Sequence, residues 1–198
     1  MKKILIATRR QWKLDEFKDI FKDLNLKFVT LTDIDFPKRE PKENGSTFKA
    51  NATTKARFYG DKSNLVTLAD DSGLEVFALP HKLGIRSKRY AAGSDKDRNQ
   101  KLLREMRKIP LDKRGARFVS AICLYDPATH KTDTAVGMCY GKIASRAKGQ
   151  HGFGYDPIFI VRTVNKHFAE LTLIEKNRVS HRAKALQKIK SKLRIYEI

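Results

Sequence analysis

The sequence predicts an α/β fold: a central mixed β-sheet flanked by helices, with a cleft. Three observations carry this expectation. An apolar, β-branched run at Lys3–Thr8 is followed, after the short loop TRRQWK, by apolar residues at helical spacing, the strand–loop–helix opening of α/β chains. Two longer apolar runs, 116–125 and 134–143, read as neighbouring strands joined by the turn DPATH. The strands and helices do not alternate strictly, so the sheet is expected to be mixed rather than all-parallel. Over 198 residues there is no internal repeat, low-complexity tract or Gly/Ser linker, and a single domain spanning 1–198, with at most two lobes, is the expectation.

The elements follow in order. Lys3–Thr8 is a buried strand. Leu14, Phe17, Ile20, Phe21 and Leu24 then mark one helix face, with Asp15 and Glu16 expected in its first turn, where the helix dipole favours acids. A second helix is expected from Ser46 to Tyr59, started by Ser46 or Thr47 and stopped by Gly60. Leu65–Leu68 is a short strand ending at ADDSG, and Asp97–Lys108 a helix ended by Pro110. Ile158–Val161 is another strand, and Val179–Leu193 a basic amphipathic helix.

Composition bounds the partners. Net charge is +20, and the excess leans to the second half: +7 for residues 1–99 (21 basic, 14 acidic) and +13 for 100–198 (21 basic, 8 acidic). Such a field attracts polyanions, whether nucleotides or nucleic acid, without naming which. No apolar run reaches the roughly 20 residues of a membrane helix. MKKILIAT has the charged start of a signal peptide, but TRRQWK breaks its apolar run, and the chain reads as cytoplasmic with no membrane partner. Cys123 and Cys139 sit inside apolar stretches without metal-ligand spacing and read as buried, reduced side chains.

Four polar segments could carry chemistry. Thr8, Arg9, Arg10, Gln11, Trp12 and Lys13 lie between a strand end and a helix start, where free N–H groups and basic side chains suit phosphate. No Walker A pattern is present. In ADDSG (69–73), two adjacent carboxylates are costly unless a cation shares them, and magnesium held by carboxylates and substrate phosphates suits that pattern; an Asp/Ser/Gly turn is the plainer alternative. The loop 39–45 offers Glu40 and Glu43, which matter only if it folds over ADDSG. Finally, GQHGFGYDPIFI (149–160) has glycines that allow close packing against a flat object, rings at Phe153 and Tyr155, and an acceptor at Asp156. With Ser180-His181-Arg182 supplying further donors, this segment points to a nucleobase pocket.

Taken together, ATRRQWKLDEF, ENGSTF with NATTKAR, LADDSGLEV, GIRSKRYAAG, ARFVSAIC, GFGYDPIF and AELTLIEKNRVSHRAKAL, in this order, resemble the inosine triphosphate pyrophosphatase family over nearly the whole chain. The resemblance implies an α/β protein with two lobes around a nucleotide-binding cleft, a homodimer, and magnesium-dependent hydrolysis of ITP, dITP and XTP to monophosphate and pyrophosphate. It implies that Thr8 through Lys13, with Lys55 and Ser72, bind the triphosphate. Glu43 and Asp71 would hold Mg²⁺ beside Asp70, Asp71 acting as base on the attacking water. Phe153, Gly154, Tyr155 and Asp156 would enclose the purine, with Lys176, His181 and Arg182 closing the pocket, and His181 or Arg182 donating to the 6-oxo group. The chain departs from the family pattern at Arg9-Arg10, usually Gly-Asn, and at Trp12, often Gly. Ala50 stands where the family places a glutamate, and Lys82-Leu83-Gly84 replaces an Ala-Pro-Gly turn. Competing readings are a basic nucleic-acid-binding protein, a septum-site-type nucleotide pyrophosphatase with a pyrimidine or modified-base preference, and a weakened, nucleotide-binding relative.

Overall fold

The computed structural model describes residues 1–197. Its seven strands form one mixed sheet, in the order β2-β1-β3-β4-β5-β6-β7. The strands are β1 (Lys3–Ile6), β2 (Lys27–Thr30), β3 (Val66–Val76), β4 (Gly115–Asp126), β5 (Lys131–Ile143), β6 (Phe159–Val161) and β7 (Lys166–His167). β1 pairs in parallel with β2 and β3, whereas β5–β6 and β6–β7 are antiparallel. The helices are α1 (Gln11–Ile20), α2 (Phe48–Ser63), α3 (Asp95–Met106), α4 (Leu173–Val179) and α5 (His181–Leu193). The chain divides into two compact units, one of Met1–Asp71, Ser120–Gly137 and Arg182 onward, the other of Ser72–Val119 and Met138–His181.

In the first unit β1 is buried on both faces, which explains its unbroken apolar run. Ile4 and Ile6 join Leu14, Phe17 and Phe21 and the α5 residues Leu186 and Ile189 in one core. Leu5 faces the other way, into a cluster with Val29, Phe36 and Tyr59. The second unit packs Leu74, Leu102, Met106, Phe118, Phe159 and Phe168 together. Phe118 meets Phe159 edge-on at 4.8 Å, while Phe159 stacks on Phe168 at 5.3 Å.

Several sequence expectations are corrected. α1 begins at Gln11, so its first turn carries no acid; Asp15 and Glu16 fall later, and Glu16 is buried. α2 is capped by the Thr47 side chain, runs through Gly60 and stops at Asn64, which takes the left-handed conformation. Gly60 does not stop the helix but lets it approach a ring: a Cβ there would lie 2.6 Å from Cδ1 of Tyr125. β3 does not end at Leu68; ADDSG lies inside an 11-residue strand. α3 starts two residues before Asp97, where Ser94 and Asp97 form a reciprocal capping box. The C-terminal helix begins at His181, not Val179: Ser180 is extended and separates it from α4, whose cap Thr172 and Glu175 also form a box.

Candidate functional site

Because side chains alternate along a strand, β3 gives its adjacent carboxylates separate surroundings. Asp70 is buried. Its Oδ2 accepts from Arg182 Nε at 3.2 Å and Nη2 at 3.0 Å and lies 2.7 Å from Lys13 Nζ. Its Oδ1 accepts from Ser120 Oγ at 2.7 Å. Burial alone would raise its pKa, but the Arg182 and Lys13 charges prevail and hold it well below the usual carboxylate range. Arg182, also buried, donates its remaining Nη1 to Glu16, which ties α1 and α5 to β3. The same Lys13 ammonium is lowered by burial despite Asp70, with Arg182 adding to the lowering. Arg10, Lys13 and Arg182 all lie within cation–π range of Trp12, at 5.6, 5.8 and 5.6 Å.

Asp71 is half-buried. Its Oδ1 accepts from Lys55 Nζ at 3.0 Å and its Oδ2 from Asn51 Nδ2 at 3.1 Å. Asn51 and Lys55 are four apart on α2 and therefore share a face. Burial raises the Asp71 carboxyl against the opposing pull of Lys55 and Asn51. Lys55 is desolvated, yet Asp71 and Glu43 outweigh that and raise it. Glu43 Oε2 lies 3.1 Å from the same ammonium, and Asn51 Oδ1 accepts from Gly45 N at 2.9 Å. The loop carrying Glu43 therefore does fold onto the ADDSG strand, whereas Glu40 stays exposed.

The rest of the TRRQWK segment is less uniform. Thr8 is buried and its Oγ1 accepts from Arg10 N at 3.1 Å. Arg9 donates to the carbonyls of Phe36 and Pro37 at 2.6 and 2.8 Å. Gln11 donates to Asp15 at 2.9 Å. No side chain caps α1.

In the second unit the 149–160 segment is built around Asp156. Gly152 has φ +79° and a Cβ there would fall 2.1 Å from Asp156 Oδ2, so glycine is required for the carboxylate to reach Phe153 N at 3.0 Å. The same oxygen lies 2.7 Å from Lys176 Nζ, which stands 4.3 Å from the centre of the Phe153 ring. Asn99 Nδ2 and Asp95 Oδ2 hold the Gly154 backbone at 3.0 and 2.7 Å. The Tyr155 ring is buried and its hydroxyl donates to Ser87 O at 2.7 Å. His181 is buried and stacks on Phe118 at 4.8 Å. Ser72 lies half-buried in β3.

The structure thus groups Lys13, Asp70 and Arg182, then Glu43, Lys55 and Asp71, then Phe153, Asp156 and Lys176. Of the two glycines of 152–154, Gly152 makes room for Asp156, whereas Gly154, at φ +60°, has open space where a Cβ would stand. Glu16, Asn51, Ser120 and Asn99 escaped the sequence reading. Only two left a signal: Glu16 is one helical turn from Lys13, and Asn51 one turn from Lys55. Among the described residues no group of three or more His, Cys, Asp or Glu side chains could hold a metal ion, and no helix is long and apolar enough to cross a membrane.

Comparison with known proteins gives a consistent result. The Ham1 family matches residues 4–192. A dITP/XTP pyrophosphatase of Lactobacillus acidophilus is 43% identical over 192 residues, covering 94% of this chain and 95% of that protein. A dITP/XTP pyrophosphatase of Oceanobacillus iheyensis is 38% identical over 191 residues, 96% of each chain. The solved structure of the Staphylococcus aureus Ham1 protein superposes with a TM-score of 0.86 at 37% identity, covering 98% of this chain and 100% of that one. The chain belongs to the Ham1 family.

Proposed function

We propose that the protein hydrolyses non-standard purine nucleoside triphosphates, ITP, dITP and XTP, to the monophosphate and pyrophosphate. The observation that carries this reading is the division of labour on β3. Asp70 is locked into a buried ion-pair cluster, while Asp71 stays partly accessible beside Lys55 and Glu43. The names of the relatives point to the same substrate class.

Glu43 and Asp71 converge on one ammonium, a hard-oxygen donor pair already facing a cation, and this pair fits Mg²⁺ completed by phosphate oxygens and water. Magnesium, when bound, offsets phosphate charge and orients the α-phosphoryl group. Lys13, Lys55 and the uncapped first turn of α1 bind the triphosphate, with Thr8, Arg9, Arg10, Gln11 and Ser72 contributing polar contacts. Asp71 accepts a proton from the attacking water as its oxygen bonds to the α-phosphorus. The bond from that phosphorus to the α–β bridging oxygen breaks, and pyrophosphate leaves.

The Phe153 ring offers the base a stacking surface, and Lys176, fixed by Asp156, presents a cationic donor at its edge. Such a donor suits a 6-oxo group and is left unpaired by the 6-amino group of adenine. An unpaired buried donor costs on the order of 1–3 kcal/mol, roughly 5- to 150-fold in selectivity. His181 joins Lys176 in this role, while Arg182, whose guanidinium is committed to Asp70 and Glu16, acts as a positioning residue. The protein acts in the cytoplasm as a homodimer, the form the family resemblance implies.

Asp71→Asn tests the reading. It should lower kcat by about 10²- to 10⁴-fold, the usual worth of a general base. ITP affinity should remain within a few-fold. Near-wild-type turnover would remove Asp71 from the base role.

A further inference from the structure

The residues assigned so far leave one charged cavity unused. A cavity of about 440 Å³ in the second unit is lined by His81, Lys82, Arg86, Arg89 and Tyr90 and by Lys101 and Glu105 of α3. Its wall is the 3-10 helix Gly84–Arg89. Residues three apart in such a helix eclipse one another, so Arg86 and Arg89 stand on one side, both exposed and both lining the cavity. Neither guanidinium is paired with a carboxylate among the described residues. Lys82 lies 2.8 Å from Glu105, and Lys101 donates to Tyr90 O at 2.7 Å while standing 4.4 Å from that ring's centre. Leaving histidine out of the formal count, four cations against one carboxylate give the lining +3.

The helix that bears the arginines is fixed. Ser87 points inward, accepting from Leu74 N at 2.9 Å and donating to Gly84 O at 2.6 Å. Its carbonyl also takes the Tyr155 hydroxyl. Two unneutralised guanidinia on a rigid turn match phosphate oxygens bidentately, because the planar fork of N–H donors fits that geometry. The cavity volume lies in the ~300–1,000 Å³ range of small-molecule sites and exceeds what one phosphate fills.

We propose that this cavity is a second anion site, for a ligand carrying adjacent phosphate groups, of which pyrophosphate and tripolyphosphate are the simplest. It shares no residue with the assigned clusters and stands independently of the proposed activity.

The test is a magnesium-free NMR titration of the full-length protein with pyrophosphate and with tripolyphosphate, reading backbone amides and arginine Nε–H signals. Saturable shifts at residues 84–90 and Lys101 are expected, stronger for tripolyphosphate and separate from those in the first turn of α1, where the proposed triphosphate site lies. In the double variant Arg86→Ala/Arg89→Ala they should weaken at least about tenfold, with thermal stability and ITP turnover unchanged. Absence of such shifts at millimolar ligand would overturn the proposal, as would shifts of equal strength in the double variant. A single-stranded oligonucleotide that bound more tightly than tripolyphosphate, and perturbed residues well beyond the cavity, would also overturn it and assign the charge to nucleic acid.

Discussion

Arg182 is the side chain on which the first unit's ion pairs converge. It carries two buried carboxylates, Asp70 and Glu16, on one guanidinium, and Lys13 adds a second cation at Asp70. Removing one partner of a buried pair leaves charge without compensation, at a cost of about 3–5 kcal/mol. Arg182→Ala should therefore lower unfolding stability by that order in guanidinium melts. Arg182→Lys should recover only part, since an ammonium lacks the fork that spans two carboxylates. A variant as stable as wild type that lost only its ITP-over-ATP preference would instead make Arg182 a base-reading group. The surroundings of Asp71 predict the opposite balance for Asp71→Asn: activity falls steeply while stability stays close to wild type.

At the scale of elements, two glycines hold opposite kinds of close approach. Gly60 admits the Tyr125 ring to the middle of α2, and that ring is fixed by hydroxyl contacts to Asp61 and to His130 Nδ1 at 2.9 Å. Gly60→Ala should therefore destabilise by about 1–3 kcal/mol, the usual overpacking cost, even though alanine is the better helix former. A melt unchanged or raised would contradict this packing. Gly152 admits the Asp156 carboxylate. Gly152→Ala should displace Asp156 from Lys176 and raise KM for ITP more than it lowers kcat, whereas unchanged KM would disconnect this loop from the base. The same elements mark how far local sequence carries. β1, α1 and the β4 and β5 runs are legible in the sequence because their periodicity is local. The continuation of β3 through ADDSG is not, because polar Asp-Asp-Ser-Gly reads as a turn. It stays in the strand because Asp70 finds its partner at Arg182, 112 residues away. The helix across Gly60 was missed for the same reason: the ring that requires a glycine there belongs to a distant strand. Val179–Leu193 reads as one helix because its periodicity runs through Ser180, and the cap of α4 reveals the break.

For the whole molecule, the +20 charge has two kinds of use. Some cations are committed internally, as with Lys13 and Arg182, or Lys190 and Arg194 on Asp23. Others, such as Arg86 and Arg89, remain exposed and line the proposed second anion site. Ala50, where the family pattern has a glutamate, is exposed and leaves Glu43 and Asp71 as the acidic pair around Lys55. The proposed pyrophosphohydrolysis therefore rests on this pair and its neighbours. The most direct measurement incubates the purified protein with Mg²⁺ and ITP, with GTP and ATP in parallel, and quantifies pyrophosphate and orthophosphate separately. Pyrophosphohydrolysis of 6-oxo purines predicts fast pyrophosphate release from ITP, little from ATP, and no orthophosphate. Orthophosphate as the product, or equal hydrolysis of ATP and ITP, would contradict it.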